Sequence, residues 1–430
     1  MSRTIVLGLL IFILIIVGLS TFKGELIALS VPLILYLLAG FIWKPERFQL
    51  EVDRTLSLER ILPGEPATIT LNIKNTGSLL ENLLLEDDLP PGLDLIEGST
   101  RRLISLKSGE ILKWQYTVKG RRGNYPLNNL RASAKDLLGL VERVENYPTR
   151  GQLFILPTAP KVRRIAIRPR LTRVYAGNIP ARTGGPGIEF FGVREYQPGD
   201  PQHWINWRVS ARYSNSLYSN EFEQERVADV GIILDGRKNV NELGSGRSIF
   251  EYSVLAATSL ADGFIASGNR VGLLVYGKFI NWTYPGYGKL QREKILQSLT
   301  RADLGESQAF SGLIIPRKLF PAFSQMVLIS PLETGDFEGL VQFKSAGYQL
   351  IIVSPDPVAY EVSHLPASQN VDLAARIVRI EREILLNRLQ RAGIQVVNWD
   401  TSQPFENIVQ AALSRPPAWL RAIHSGRLAG

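Results

Sequence analysis

The first 47 residues contain two apolar runs separated by a short polar turn. Residues 5–19 are unbroken, and residues 26–43 are interrupted only by Ser30 and Pro32. Each run approaches the about 20 residues that a helix needs to cross a bilayer. We therefore predict a transmembrane helical hairpin over residues 1–47. A cleaved signal peptide would show a cleavage site followed by polar sequence after the first run. The chain has a second apolar run there instead, so a signal peptide is disfavoured.

The charges beside the hairpin predict its orientation. Arg3 precedes the two runs, and Lys44 and Arg47 follow them. Because basic residues favour the cytoplasmic side of a membrane, both outer ends are expected there. The predicted location is the cell membrane, as a multi-pass protein with two helices and with its remaining domains in the cytoplasm.

Strict alternation of apolar and polar positions begins directly after the hairpin. This period of two places one face of each strand toward a core, and Pro-Gly and Asn-Thr-Gly segments mark turns between strands. The clearest alternating positions are Phe48, Leu50, Val52, Ala67, Ile69, Leu71 and Ile73. Short strands at this spacing, with no helix among them, predict an immunoglobulin-like β-sandwich over residues 48–157.

The second half of the chain follows a different pattern. Residues 158–186 are rich in proline, glycine and arginine, as is typical of a linker. After a distinctive segment at 187–226, β-branched strands alternate with helices over residues 227–414, which predicts a doubly wound α/β domain. A basic tail, residues 415–430, ends the chain.

One predicted helix of the α/β domain, over residues 374–392, is amphipathic. Its apolar stripe consists of Ile377, Ile380, Ile384 and Leu385. A stripe of this kind is more often the core face of a helix than a groove for a partner.

The amino-acid composition excludes some kinds of site and disfavours others. The chain has 430 residues, no cysteine and three histidines far apart in sequence, so disulfides are excluded and a histidine-based zinc site is disfavoured. The formal charge of +9 raises the possibility of a nucleic-acid or anionic-surface binder. Nucleic acid is disfavoured as a partner because the basic residues are spread along the sequence rather than clustered.

The segment 187–226 combines opposite charges with aromatic residues. Its candidate residues are Glu189, Arg194, Glu195, Tyr196, Asp200, Trp207, Arg208 and Arg212. Guanidinium groups pair with carboxylates and stack on aromatic rings, so this composition can hold an irregular loop in one shape or form a recognition surface. A third interpretation is catalysis, with Glu189 and Asp200 as general acid and base. The sequence leaves these three interpretations open.

The same segment carries a family resemblance. The pattern G-x-E-F-x-G-x-R-E-Y-x-x-G-D from Gly187 to Asp200, followed by I-N-W-x-x-S-A-R from Ile205 to Arg212, resembles domain-of-unknown-function family 58. The R-R-G-x-Y-x-L stretch from Arg121 to Leu127 adds to the likeness. The resemblance implies a membrane protein with a von Willebrand factor A-like domain, often encoded beside a MoxR-type AAA+ ATPase.

That resemblance also implies a divalent cation held by a D-x-S-x-S motif at the edge of the α/β sheet. This chain departs from the motif, because Arg237 and Asn239 stand at the two serine positions after Asp235, and Ser330 is followed by proline. The degenerate site of Asp235, Asn239 and Ser330 predicts no cofactor. We expect Arg237 or Lys238 to reach Asp235 as an internal ion pair.

The leading hypothesis for function is a membrane-anchored scaffold or adaptor that binds protein partners. By resemblance, the partner is a MoxR-type AAA+ ATPase. No active site is predicted, so the protein is not expected to be an enzyme. The alternatives are a carboxylate-dependent hydrolase using the central motif and a nucleic-acid or anionic-surface binder.

Overall fold

The structure is a computed structural model. It describes residues 3–42, 48–135, 142–162, 173–213, 215–244, 246, 248–277, 280–306, 319–321 and 324–413. The predicted basic tail, residues 415–430, lies outside these ranges. The chain divides into two compact units, Met1–Leu156 and Pro157–Gly430.

Two helices begin the first unit, α1 (Arg3–Ser20) and α2 (Gly24–Ile42). A tight turn joins them, with Phe22 at a φ of 51°. Gly18 permits their close approach, because a Cβ there would lie 2.7 Å from Cγ1 of Ile27. The sequence therefore forms a helical hairpin at this position.

The prediction that this hairpin crosses a membrane is wrong. Within the described residues, no helix combines the length and apolar character that a membrane span requires. The multi-pass membrane location, which was inferred from the hairpin, is therefore also wrong.

The rest of the first unit is built of strands. Two four-stranded sheets have the orders β1-β3-β7-β5 and β10-β9-β4-β6, and a three-stranded sheet has the order β2-β11-β8. The strands are β1 (Leu50–Leu56), β2 (Arg60–Ile61), β3 (Ala67–Asn75), β4 (Leu80–Glu86), β5 (Leu93–Glu97), β6 (Arg101–Leu106), β7 (Ile111–Gly120), β8 (Gly123–Pro126), β9 (Asn129–Lys135), β10 (Glu142–Pro148) and β11 (Gln152–Ile155). The alternating residues of β3, from Ala67 to Ile73, point into one core that all three sheets share.

A charged cluster lies inside this first unit. Arg54 and Asp87 are buried and form an ion pair of 2.7 Å, and Arg54 also donates to the carbonyl of Leu127. The Tyr116 hydroxyl donates to the second oxygen of Asp87 at 2.5 Å. Burial raises the pKa of Asp87 above its usual range, and burial beside that carboxylate raises the pKa of Tyr116.

The second unit begins with a long irregular hairpin. Strand β12 (Arg173–Glu195) pairs antiparallel with β13 (Tyr218–Val227), with several shifts in register. Residues 173–186, which the sequence places in a linker, therefore lie in a strand. A 3-10 turn (Gln202–Trp204) and the short helix α3 (Trp207–Ser210) connect the two strands.

A six-stranded sheet with the order β16-β15-β14-β17-β18-β19 forms the body of this unit. Only β16 is antiparallel to its neighbour. The strands are β14 (Asp229–Asp235), β15 (Arg270–Tyr276), β16 (Ile280–Gly286), β17 (Gln325–Ile329), β18 (Gln349–Pro355) and β19 (Gln395–Trp399). The helices are α4 (Lys238–Asn241), α5 (Phe250–Ala266), α6 (Gly288–Thr300), α7 (Asp336–Ser345), α8 (Pro357–Val362), α9 (Gln369–Arg391) and α10 (Phe405–Leu413).

The central strand β14 is buried along its whole length. Ile232 and Ile233 belong to different apolar clusters, as expected for successive residues of a strand covered on both faces. Gly231 and its sheet neighbour Gly272 make room for Phe320, since a Cβ on either would lie within 3.0 Å of its ring.

Two further sequence predictions need correction here. The predicted fold class is wrong in its membrane hairpin, and no clear von Willebrand A-like fold is shown. The predicted core stripe of α9 is also wrong, because Ile377, Ile380 and Ile384 are 53–58% exposed. The helix packs through its other face, where Leu385 lies beside Arg382, Leu386 and Leu389.

Candidate functional site

Two groups of residues in the second unit bear on function, and the first lies at the end of the central strand. Strand β14 ends at Asp235, the adjacent strand β17 ends just before Ser330, and α7 begins at Asp336. Carboxyl ends of parallel strands meet at one edge of a sheet, where open α/β folds bind ligands. Here Arg237 fills that position, fully buried with Asp235, Ser330 and Asp336.

The Arg237 guanidinium bridges two carboxylates. Its Nη2 donates to Asp235 Oδ2 at 2.9 Å, and its Nη1 and Nη2 donate to the two oxygens of Asp336 at 2.8 Å each. Ser330 Oγ donates to Asp235 Oδ2 at 2.6 Å. The backbone N–H of Glu333 donates to Asp336 at 2.9 Å. Every charged group in the cluster therefore has hydrogen-bond partners.

The electrostatics of the cluster follow from its burial. Desolvation raises the pKa of Asp235, while Arg237 and Ser330 oppose that shift. Burial acts to lower the pKa of Arg237, but its hydrogen bonds to Asp336 and Asp235 outweigh burial and raise that pKa, so the guanidinium stays charged. A buried pair of this kind gives little net stability over an apolar replacement, but removal of one partner is strongly destabilising.

The residues at this edge do not fit the divalent cation that the resemblance implies. A guanidinium already occupies the space between the two carboxylates, and it carries the positive charge there. Of the degenerate metal set, Asp235 and Ser330 are brought together, but the Asn239 side chain instead donates to the exposed carboxylate of Glu333 at 3.1 Å. The cluster is therefore a structural cross-link between β14, β17 and α7.

The second group is the motif segment that joins β12 and β13. Arg194 forms a two-pronged ion pair with Asp200, with N–O distances of 2.8 and 2.6 Å. Asp200 also accepts from the backbone N–H of Gln197 at 2.9 Å, and Arg194 Nε lies 3.7 Å from Glu221. These contacts close the turn after β12 into one conformation. The Arg194 hydrogen bonds hold the pKa of Asp200 below its usual range.

One face of β13 holds the rest of the segment in place. Tyr218, Asn220 and Phe222 alternate along the strand, and each contacts a residue of the connection. The rings of Tyr213 and Tyr218 lie 5.3 Å apart, as do those of Trp204 and Phe222. Asn206 donates to Asn220 at 2.7 Å and accepts from the N–H of Val209, which caps α3.

This fixed segment presents a set of large apolar side chains outward. We define the motif surface as Phe190, Phe191, Val193, Trp207, Tyr213 and Leu217, which are between 37% and 67% exposed. Trp207 is the most exposed of them. Arg208 and Arg212, one and five residues further along the chain, are also exposed, and within the described residues neither forms an ion pair.

The structure separates the predicted motif residues into distinct roles. Arg194 and Asp200 pair, and the Tyr196 hydroxyl donates to the Asp200 carbonyl at 3.2 Å. Glu195 is exposed, and the Glu189 side chain lies outside the described part of the chain. The sequence missed Asp336, because only the sheet brings it to Arg237. It also missed the exposure of Phe190 and Tyr213, which apolar character alone does not reveal.

Asp200 is poorly suited to acid–base catalysis. A general base works best when its pKa lies near the working pH, whereas Arg194 holds the pKa of Asp200 low. Both oxygens of this carboxylate are also engaged by Arg194. Within the described residues, Asp200 therefore serves to fix the turn after β12.

The Arg194–Asp200 pair gives a direct prediction about pH. Because the pKa of Asp200 is lowered in the folded chain, its contribution to stability is present above the unfolded pKa and is lost as pH falls through the folded pKa. In Arg194→Ala, the pKa of Asp200 should rise toward the ordinary value of about 3.9. NMR titration of the Asp200 carboxyl carbon measures this, with Arg292→Ala as a control that should change nothing. Equal midpoints in Arg194→Ala and the parent chain would contradict the assigned pair.

Fold and site together define a class: a two-unit protein whose sheet edge is closed by a buried guanidinium and whose recognisable motif forms an exposed surface. The family model "Protein of unknown function DUF58" matches residues 192–412, just over half of the chain, and the chain belongs to this family. The match covers the motif segment from Gly192 onward, the six-stranded sheet and its helices.

Similar proteins add little about activity. The chain is 23% identical over 252 residues to the uncharacterized protein YeaD of Bacillus subtilis (strain 168), an alignment that covers 57% of this chain and 60% of that protein. The chain thus matches less than two thirds of the length of this curated relative.

Among solved structures, proximal thread matrix protein 1 from the mussel byssus is 10% identical with a TM-score of 0.25, covering 44% of this chain and 47% of that one. The cupredoxin domain of amoB from Nitrosocaldus yellowstonii is 9% identical with a TM-score of 0.19, covering 26% and 88%. Scores this low carry no argument about fold or function.

Proposed function

We propose that this protein is an adaptor that binds a protein partner through the motif surface. The observation that carries the proposal is the exposure of Trp207, 67%, on a segment fixed by the Arg194–Asp200 pair. Exposed aromatic residues and arginines are the side chains that most often dominate binding energy at protein interfaces.

The rigidity of the segment supports the proposal. A surface that is already ordered loses less conformational entropy on binding than a mobile loop does. The hydrogen bonds from Arg194 to Asp200 and from Asn206 to Asn220 hold the segment in its shape without a partner. These polar contacts therefore support binding without touching the partner themselves.

The proposed partner is a MoxR-type AAA+ ATPase, as the resemblance to the family suggests. Arg208 and Arg212 follow Trp207 in the same segment, are exposed, and can meet carboxylates on such a partner. Opposite charges at the rim of an interface mainly raise the association rate and set specificity. Binding should accordingly weaken as salt concentration rises, while the apolar contact at Trp207 remains.

Affinity purification tests the proposal in cells. Tagged full-length protein should recover the ATPase, identified by mass spectrometry, and Trp207→Ala should lower its yield at least about tenfold because interface tryptophans are often hot spots. Trp282→Ala is the matched control, since Trp282 is also exposed, at 46%, but lies on β16 outside the motif. Recovery of no ATPase by folded protein, or equal loss in both variants, would overturn the proposal.

A further inference from the structure

The outward face of α9 is an apolar stripe that the proposed function does not use. Leu373, Ile377, Ile380 and Ile384 are 53–61% exposed and recur at intervals of four, three and four residues. At about 100° per residue, these four positions fall within about 60° of one another around the helix. The buried residues of α9, among them Ala375, Arg382 and Leu389, lie on the opposite side.

We infer that this stripe is the contact between two copies of the chain, paired as parallel helices in register. The spacing of four, three and four residues is that of the a and d positions of a coiled-coil seam. Two opposite faces of one helix would not both need apolar residues if only the core had to be covered. The second apolar face thus has the pattern of a helix–helix contact.

The charges beside the stripe are complementary to themselves. Arg376 and Glu383 flank one side of the stripe, and Glu381 and Arg388 flank the other. In a parallel pair, the residues of the first side, Arg376 and Glu383, each face the residue five positions later on the partner helix, in the g-to-e′ relation of coiled coils. Arg376 would face the second copy's Glu381, and Glu383 its Arg388, so both rows pair opposite charges.

The residues of these rows are available for such pairs. Within the described residues, Arg376, Glu381 and Glu383 are exposed and form no ion pair. Arg388 lies with its guanidinium 4.0 Å from the ring centre of Phe337. Stacking fixes the position of that group and leaves the N–H groups at its edge able to donate to a carboxylate.

The same charges argue against an anionic lipid surface as the occupant. A membrane-surface helix usually carries lysine and arginine on both borders of its apolar face. Here Glu381 and Glu383 stand on opposite borders, one on each side of the stripe. Each border thus carries one acidic and one basic residue, which gives no net attraction for anionic headgroups, whereas a second copy of α9 can pair every one of these charges.

The absence of cysteine from the chain permits a direct test. Full-length Leu373→Cys should form a disulfide-linked dimer under mild oxidation at least about tenfold faster than Leu290→Cys, because paired seam positions hold their thiols at high effective concentration. Leu290 is a matched control, since it is exposed on another helix, α6, at 70%. An antiparallel pair would separate the two thiols by about 16 Å along the axis and give no bond.

Charge reversal in the same background tests the pairing rule. Adding Glu381→Arg to Leu373→Cys should slow the cross-link, and adding Arg376→Glu to that variant should restore it. The inference would be overturned if Leu373→Cys cross-links no faster than Leu290→Cys. It would also be overturned if neither charge reversal changes the cross-linking rate of Leu373→Cys. A vesicle experiment gives a second way to overturn it. If uncross-linked parent protein floats with vesicles of phosphatidylcholine and phosphatidylglycerol, and Ile380→Glu abolishes that flotation, lipid is the occupant of the stripe and the inference is wrong.

Discussion

Replacing Arg237 by alanine is expected to lower the free energy of unfolding of the second unit by about 3–5 kcal/mol. The substitution leaves Asp235 and Asp336 buried without the guanidinium that bridges them. Two fully buried carboxylates then face each other with only hydroxyl and backbone donors. Hydrogen–deuterium exchange at β14 and β17 measures the loss, with peptides of the first unit as an internal reference.

An exposed ion pair provides the control for Arg237. Arg292→Ala removes a two-pronged pair with Asp262, but Arg292 remains 45% exposed, so the expected loss is at most about 1 kcal/mol. Arg237→Lys should fall between the two, because a single ammonium keeps the charge but cannot bridge both carboxylates. A loss in Arg237→Ala no larger than in Arg292→Ala would show that the cluster is not the cross-link described here.

Arg54→Ala is expected to destabilise the first unit by a similar amount, about 3–5 kcal/mol. Its guanidinium and the Asp87 carboxylate are both buried, and Tyr116 alone cannot neutralise that carboxylate. Exchange at β3 and β7 should increase, while Lys74→Ala, which removes an exposed pair with Glu51, should change exchange little. Unchanged protection of β3 in Arg54→Ala would contradict the structural role of the pair.

Local patterns predicted the individual strands well where both faces are buried. The apolar run at residues 230–234 corresponds to β14 (Asp229–Asp235), and the sequence places Asp235 at its end. The Arg237 pair with Asp235 also follows from sequence, because the two residues are neighbours. Asp336, which completes that cluster, lies 99 positions from Arg237, so only the assembled sheet brings it there.

Apolar periodicity predicted α9 but assigned the wrong face to the core. Ile377, Ile380 and Ile384 form the more regular stripe, whereas the packed face contains the charged Arg382. Arg382 is tolerated because it donates to the carbonyl of Pro331 at 2.6 Å and to Ser354 Oγ at 2.8 Å. A sequence shows polarity, not the hydrogen bonds that make a buried arginine acceptable.

The apolar runs at the amino terminus show a related limit. Hydropathy predicted that residues 5–19 and 26–43 form helices, and α1 and α2 are found there. The further step from apolar helix to membrane span is wrong, because within the described residues no helix combines the length and apolar character that a span requires.

A binding titration with the purified MoxR-type ATPase tests the central claim, that the motif surface binds a protein partner. Trp207→Ala should raise the dissociation constant at least about tenfold, as expected for an interface hot spot. Arg194→Ala should also raise it, by releasing the turn that Asp200 closes, while Trp282→Ala should match the parent chain. A dissociation constant unchanged by Trp207→Ala in folded protein, or no binding by the parent chain, would contradict the claim.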